Sequence, residues 1–294
     1  MTDTAPNPIG PTSHFYHSQR LRLHYLDWGN PKAPPLILQH GGFDHGRSWD
    51  AIAMELMQDW HIIVPELRGH GDSAQVNDGD YSIAAYVYDF AQLIHQLELA
   101  PVTIIGHSLG GNIATRYAGL YPDNVRKLVS IEGLEPSPET RSGFVDKTPA
   151  DLLRGWIERK RALASRQPKH YPTLADAAAR MQEKNHFLSK EMALHLTLHG
   201  VKQNEDGTYS WKFDNYVRSW PPTDMPAEHL HTLWTAITCP MLLIYGAESW
   251  ASNPEKDGRL EKFNTATFEM YEKAGHWVHH DRFQDIVASL KRFL

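Results

Sequence analysis

The sequence has 294 residues, of which 41% are hydrophobic, 35 are acidic and 29 are basic. A chain of this size and composition can bury a large core, and we expect one α/β domain or one domain that carries an insertion. The net charge of −6 comes from charges mixed along the chain, without the basic runs that bind phosphate backbones. Nucleic acid is therefore not an expected partner.

The cysteine content and the N-terminal residues predict the compartment. Cys239 is the single cysteine, so no internal disulfide can form, and the first residues lack the charged and apolar regions of a secretory signal. No apolar run approaches the roughly 20 residues that cross a bilayer. We expect a cytoplasmic protein without a membrane span, in which Cys239 is a buried structural thiol. The sequence gives no indication of the oligomeric state.

Short apolar, β-branched runs alternate with amphipathic helical patterns along most of the chain. The runs that predict strands lie at 20–29, 34–41, 60–69, 101–108, 126–133, 240–246 and 267–276. Helices are predicted at 48–60, 81–100, 109–122 and 281–294. This alternation predicts a mainly parallel sheet with helices on both faces. The proline-rich N-terminal tail is expected to be mobile.

The alternation of strands and helices stops between residues 135 and 226, where the sequence becomes polar and helix-like. Helices are predicted there at 152–164, 174–185 and 189–200, followed by a tract rich in Trp, Tyr and Pro. The simplest interpretation is a helical cap over one edge of the sheet. The predicted domains are thus a core made of residues 1–134 and 227–294, and a cap insertion, residues 135–226.

The segment GHSLGG, Gly106 to Gly111, follows an apolar strand and opens a helical pattern. This is the G-x-S-x-G setting of a nucleophile elbow. Gly106 and Gly110 lack the β-carbons that would collide where the chain reverses, so Ser108 can be held in a strained conformation with its hydroxyl exposed. Its place at a helix N-terminus favours developing negative charge. Ser108 is the predicted nucleophile.

A serine hydroxyl needs a general base within hydrogen-bond reach, and histidine is suited to that task at neutral pH. His276 is the candidate, because it follows a predicted strand and Gly275 and precedes the last predicted helix. His279 and His280, in the same stretch, are interpreted as ordinary surface histidines.

An oxyanion must also be stabilised, and a glycine-rich turn follows the strand at 34–41. Its backbone N–H groups are suited to this task, with Gly42 favoured as one donor and Phe43 as the alternative. The second predicted donor is the N–H of Leu109, directly after the nucleophile.

Four motifs in this order resemble those of the α/β-hydrolase superfamily, namely HGG at 40–42, LRGHGDS at 67–73, GHSLGG at 106–111 and AGHW at 274–277. The resemblance covers most of the chain outside the predicted cap and implies an esterase-like serine hydrolase with a helical cap. The fold's chain order then places His276 after Ser108. The RGHGDS stretch shapes the pocket floor in such relatives, so we expect His70 to be structural.

The third member of the triad departs from the commonest pattern of the superfamily. Ser249 stands where relatives usually carry an aspartate after the seventh strand. One candidate acid is Glu132, in IEGLEP, which resembles the motif that carries the acid after the sixth strand in haloalkane dehalogenases. The other is Glu248, one residue short of the usual place. Either would fix the tautomer of His276, and Glu132 is favoured.

A serine with an oxyanion hole predicts acyl transfer on an ester, thioester, lactone or similar carbonyl of a small molecule, without a cofactor. Phe43, His107 and Trp277 are predicted to line the substrate pocket, and Trp250 is a further candidate. The alternatives are carbon–carbon bond hydrolysis by the same triad, a cofactor-free oxygenase or perhydrolase, and a catalytically silent binding protein.

No metal site is predicted from the sequence. The chain has 18 histidines, but they are scattered, and neither HExxH nor a His/Cys cluster with ligand spacing occurs.

Overall fold

The structure is a computed structural model that describes residues 10–139, 147–222 and 224–294. Most of the predicted mobile N-terminal tail and part of the predicted cap lie outside these ranges. The described strands are β1 (Thr12–Ser18), β2 (Leu21–Asp27), β3 (Pro35–Gln39), β4 (His61–Pro65), β5 (Val102–His107), β6 (Val125–Ile131), β7 (Val201–Gln203), β8 (Tyr209–Trp211), β9 (Met241–Gly246) and β10 (Ala266–Tyr271).

The described helices fall into two groups. Those that flank the sheet are α1 (Asp50–Leu56), α2 (Ile83–Gln96), α3 (Leu109–Leu120), α7 (Ala227–Thr235), α8 (Val278–Asp281) and α9 (Phe283–Phe293). Those within the predicted cap are α4 (Pro149–Ala164), α5 (Leu174–Lys184) and α6 (Lys190–Gly200). Within the described ranges, no helix is both long and apolar enough to span a membrane.

The strands form a mostly parallel sheet in the order β1-β2-β4-β3-β5-β6-β9-β10. In this sheet, as far as the structure describes it, only β1 with β2 and β2 with β4 pair antiparallel, and β7 pairs with β8 in a separate antiparallel hairpin. Successive side chains of a strand point to opposite faces, and β9 shows the consequence. Leu243 packs into a core with helix residues such as Phe90 and Trp234, whereas Leu242 and Ile244 pack on the other face. The predicted parallel sheet with two covered faces is confirmed.

Both faces of the sheet are closed by amphipathic helices. One core contains residues of α2, α3 and α7, and the other contains Trp49 with residues of α1, α8 and α9. The described part of the predicted cap has its own small apolar cluster, in which Tyr171, Ala177 and Val201 are buried. Cys239 is buried, as predicted.

The helix starts in the predicted cap follow from local sequence. Thr148 caps α4 and Thr173 caps α5, and each forms a capping box with an aspartate three residues later. α4 buries no side chain, so its position depends on few apolar contacts. The helices predicted at 152–164, 174–185 and 189–200 are therefore confirmed, with α4 beginning slightly earlier.

The sequence patterns did not predict β1, the β7–β8 hairpin, α7 or the four-residue helix α8. β1 begins at Thr12, inside the tail that was predicted to be mobile, and that prediction is wrong for its last residues. Most side chains of β1 are exposed, so the strand shows no apolar alternation, and it is held by pairing with β2. α7 buries only Leu230 and Trp234, which is too sparse an apolar pattern to indicate a helix.

A buried ion pair ties the loop after β4 to α2. Arg68 donates from Nε and Nη2 to the two carboxylate oxygens of Asp89, at 2.6 and 2.8 Å, and both residues are almost fully buried. Ser18 at the end of β1 donates to the same carboxylate. Together these contacts join the end of β1, the loop after β4 and α2.

We expect Asp89→Asn to lower the free energy of unfolding by about 3 kcal/mol, because it leaves the Arg68 charge buried without its partner. Chemical denaturation of the variant against the wild type measures the change. Glu158→Gln, which removes an exposed ion pair with Arg161 on α4, is the matched control and should leave the unfolding midpoint unchanged. Equal effects of the two substitutions would contradict the importance of the buried pair.

Candidate active site

The carboxyl ends of neighbouring parallel strands bring the predicted chemistry to one edge of the sheet. β3, β5, β6, β9 and β10 lie next to one another in that order. Ser108 follows β5, Glu132 follows β6, and His276 lies in the loop between β10 and α8. Open α/β sheets bind their ligands at this edge.

Ser108 occupies a sharp turn from β5 into α3. Its φ of 51° and ψ of −120° are rare for a residue with a β-carbon and mark backbone strain. The N–H of Ser108 donates a 2.9 Å hydrogen bond to the carbonyl oxygen of Ile131 on β6, which anchors the turn. A β-carbon at Gly110 would lie 2.6 Å from the carbonyl oxygen of His40, so only glycine allows this close approach.

His276 contacts a buried carboxylate. Its Nδ1 lies 2.5 Å from Oε2 of Glu132, whose side chain has no exposed surface, whereas 18% of the His276 side chain is exposed. The hydrogen bond through Nδ1 leaves Nε2 as the ring nitrogen available to another group. The arrangement is that of a histidine held in one orientation by an acid.

Glu132 is fixed by further hydrogen bonds. Its Oε1 accepts from the N–H of Gly246 at 2.8 Å, and its Oε2 accepts from the hydroxyl of Ser249. The residue has a φ of 49°, and its own N–H donates to the carbonyl oxygen of Ile244 on β9. Ser249 stands where the acid usually lies in the superfamily that the sequence resembles. Here its hydroxyl donates a hydrogen bond to the carboxylate of Glu132 instead.

Glu248, the other candidate acid, is exposed. Its backbone N–H donates to the carbonyl oxygen of Ala274, which closes the loop, but its carboxylate makes no described contact with His276. Of the two carboxylates, the structure places only Glu132 against the histidine.

The turn after β3 lies directly against the nucleophile. A β-carbon at Gly41 would be 3.0 Å from Cβ of Ser108. His40 holds this turn: its Nδ1 donates to the carbonyl oxygen of Gly41 at 2.7 Å, and its Nε2 accepts from the N–H of Leu67 at 3.1 Å. Burial lowers the pKa of His40 to about 3, so the ring remains neutral and keeps this tautomer.

The backbone of Gly42 lies next to the side chain of Leu109, the residue that carries the other predicted oxyanion donor. A β-carbon at Gly42 would lie 4.0 Å from Cδ2 of Leu109. Leu109 opens α3, where the first backbone N–H groups have no partner within the helix. Phe43, the alternative donor, has a φ of 64° and a ring that is 41% exposed. The choice between Gly42 and Phe43 stays a prediction.

Exposed aromatic side chains lie near the sheet edge that holds Ser108 and His276. Trp250 is 79% exposed, and its ring centroid is 4.5 Å from that of His276. Phe43 packs edge-on against Phe213, which belongs to the predicted cap, and the guanidinium of Arg218 lies over the Phe43 ring. Aromatic side chains from the core and from the predicted cap are thus available to an apolar ligand.

Comparison with known proteins shows the family. The family model described as alpha/beta hydrolase fold matches residues 34–283 of the chain. The chain belongs to the alpha/beta hydrolase fold family. Its core, with an eight-stranded sheet in the described ranges and a strained serine turn after β5, is that of an alpha/beta hydrolase.

Several relatives of this alpha/beta hydrolase have named activities. The mouse protein named sn-1-specific diacylglycerol lipase ABHD11 is 26% identical over 93% of this chain and 85% of its own length. A zebrafish serine hydrolase-like protein is 28% identical over 61% of this chain and 55% of its own. The solved thioesterase domain from the curacin biosynthetic pathway shares the fold, with a TM-score of 0.82 at 23% identity over 96% of this chain and 99% of that one.

One predicted pocket residue of the hydrolase requires correction. His107 is 1% exposed, and its Nε2 donates a 2.9 Å hydrogen bond to the carbonyl oxygen of His276. Burial, together with the charge of His276, lowers its pKa well below the usual range, so the ring is neutral. His107 therefore supports the backbone of the histidine loop rather than facing a substrate. Trp277, the neighbouring prediction, is partly exposed near the His107 ring.

The two histidines interpreted as surface residues are also corrected. His279 is 1% exposed and stacks on Trp49 with ring centroids 4.7 Å apart. His280 is partly exposed, but its Nε2 is buried, and desolvation lowers its pKa to about 3. Neither position belongs to an alternating pattern, so the sequence carries no signal of their burial. His70 is buried and donates from Nδ1 to the carbonyl oxygen of Arg68, consistent with a structural role.

Two groups of side chains in the described ranges bring metal-binding atoms within 4.8 Å of one another: His24, Glu66 and Asp72, and Asp50, His195 and His199. In the first group, Nδ1 of His24 and Oε2 of Glu66 already form a 2.9 Å hydrogen bond. Neither group includes a residue of the predicted triad. The sequence patterns did not predict the second group, because Asp50 lies far in sequence from His195 and His199.

Proposed function

We propose that this alpha/beta hydrolase is a serine hydrolase that cleaves a carboxylic ester or thioester through an acyl-enzyme. The observation that carries the proposal is the 2.5 Å contact between Nδ1 of His276 and the fully buried carboxylate of Glu132, on the sheet edge that also holds the strained Ser108 turn. The mouse relative named a diacylglycerol lipase and the similar thioesterase domain support an acyl substrate.

The proposed mechanism assigns each proton. Nε2 of His276 takes the proton of the Ser108 hydroxyl as Oγ attacks the acyl carbonyl, and the Glu132 carboxylate stabilises the imidazolium that forms. The N–H groups of Gly42 and Leu109 donate to the oxyanion of the tetrahedral intermediate. His276 then returns the proton to the leaving alcohol or thiol. Water then attacks the acyl carbonyl while His276 takes its proton. His276 returns that proton to Oγ of Ser108 as the carboxylic acid leaves.

The acyl group is proposed to be apolar and to lie beneath the predicted cap. The exposed rings of Trp250 and Phe43 offer apolar surface next to His276 and the turn after β3. Phe213 reaches the Phe43 ring from the segment 135–226, which we propose as the cap that closes the site. Burial of each apolar CH₂ group contributes about 0.8 kcal/mol, so affinity should rise with acyl chain length until the pocket is full.

A series of p-nitrophenyl esters from acetate to laurate tests this function. We expect a burst of one p-nitrophenol per chain when deacylation is slower than acylation, and a kcat/KM that rises with chain length over the shorter esters. The matched thioesters should react as well. Release no faster than in buffer for every ester and thioester, with the chain folded, would contradict the proposal.

The position of Ser249 permits a test of the acid by relocation. Its hydroxyl bonds the same Glu132 oxygen that contacts His276, so an aspartate at 249 would reach Nδ1 of the histidine. We expect kcat of the double variant Glu132→Ala, Ser249→Asp to be at least about tenfold higher than kcat of Glu132→Ala alone. Equal rates for the single and double variants would contradict an orienting role at this point.

A further inference from the structure

The helix α6 carries two histidines one turn apart that face the start of α1. His195 and His199 have the i,i+4 spacing that places both rings on one side of a helix. Asp50 begins α1, and one ligand atom from each of the three residues lies within 4.8 Å of the others. Two imidazoles and a carboxylate from two separate segments therefore converge at one place.

Two of the three side chains have polar atoms that no described residue satisfies. The Asp50 side chain is only 6% exposed, and its Oδ1 is buried without a hydrogen-bond partner in the described ranges. Neither ring nitrogen of His199 forms a hydrogen bond to any described residue. A buried carboxylate oxygen without a donor is costly, so its presence indicates a partner from outside the chain.

Arg47 is the group that opposes a cation here. Its Nε donates to Oδ2 of Asp50 at 2.6 Å, while Oδ1 remains free. Nε2 of His195 donates to the carbonyl oxygen of Arg47 at 3.0 Å and lies 3.3 Å from Oδ2 of Asp50. The Arg47 side chain is 32% exposed, so it can turn from Asp50 into solvent when a cation binds.

We propose that Asp50, His195 and His199 form a binding site for a borderline transition-metal ion of the Zn²⁺ type. Two imidazole nitrogens and one carboxylate oxygen are a ligand set that Zn²⁺ accepts, with a fourth position left for water. The ion would join α6 of the proposed cap to the first residue of α1. The site is separate from Ser108, His276 and Glu132, and it does not depend on the function proposed for them.

Titration of the chelator-treated full chain with Zn²⁺ at pH 7.5, followed by calorimetry, tests the site. We expect one ion per chain, and a rise in the unfolding temperature of about 4 °C at a hundredfold excess over Kd. Mg²⁺ should not compete, because it prefers oxygen ligands. Failure to bind one equivalent of Zn²⁺ would overturn the proposal.

Variants locate the ion. His199→Ala and Asp50→Asn should each weaken Zn²⁺ binding at least ~100-fold. His229→Ala, which removes an exposed histidine on α7, is the matched control and should bind as the wild type does. Undiminished binding by both site variants, with circular dichroism unchanged, would place the ion elsewhere and overturn the proposal.

Arg47→Gln separates a metal site from a merely structural cluster. It removes the positive charge next to Asp50, so Zn²⁺ should bind about tenfold more tightly, whereas a substitution that only damaged the cluster would weaken binding. Weaker binding in this variant, with the fold intact, would contradict the proposed position of the ion.

Discussion

Replacement of Ser108 with alanine is expected to lower kcat/KM for ester hydrolysis by about 10⁴-fold or more while leaving the fold intact. The substitution removes the only oxygen that can form the proposed acyl-enzyme. Ser108 also lies in a strained turn, which is held by backbone contacts that alanine keeps. Steady-state rates with p-nitrophenyl butyrate, together with the unfolding midpoint, measure both parts of the expectation.

The matched control for this variant is Ser165→Ala, at the exposed C-terminal end of α4, which should hydrolyse the ester at the wild-type rate. Ester turnover that survives in Ser108→Ala would contradict the assignment of the nucleophile. Loss of turnover in both variants would point to an effect on folding, which the unfolding midpoint would reveal.

The second large effect is expected at Glu132. Glu132→Gln keeps the size of the side chain but removes the charge that faces Nδ1 of His276, so the imidazolium loses its stabilising partner and the histidine can adopt the wrong tautomer. We expect kcat to fall by about 10⁴-fold. Glu248→Gln, which changes an exposed carboxylate in the adjacent loop, should stay within about twofold of the wild type.

A pH profile of kcat distinguishes the orienting role of Glu132 from a structural one. If the acid stabilises the protonated histidine, the acidic limb of the kcat profile should move to lower pH in Glu132→Gln, because loss of the carboxylate disfavours the imidazolium, and Glu132→Asp should recover part of the rate. A large loss in Glu248→Gln with full activity in Glu132→Gln would contradict the assignment.

The elements that position Ser108 follow closely from the sequence. Strands such as β5 and β9 are buried throughout and mostly apolar, and the glycines of GHSLGG indicate the sharp turn directly. The same reasoning placed His276 after the last strand of the sheet. These features depend on local residue patterns, and the structure brings them to one edge because neighbouring parallel strands end there.

The choice between the two acids could not be made from the sequence. Glu132 and Glu248 both follow buried strands, and the deciding facts are tertiary: the pairing of β6 with β9 and the hydrogen bonds from Gly246 and Ser249 that hold one carboxylate in place. The burial of His107 could not be predicted either, because it also depends on tertiary packing. His107 was predicted to face the substrate because it adjoins Ser108, yet it points into the protein beneath the His276 loop.

Reaction with a fluorophosphonate, followed by intact mass measurement of the wild type and of Ser108→Ala, tests the central claim most directly. The reagent forms a covalent bond only with an activated serine, so it tests whether His276 and Glu132 make Ser108 nucleophilic. We expect one adduct on the wild type and none on the variant. Two folded proteins that both remain unmodified, or that are both modified equally, would contradict the account.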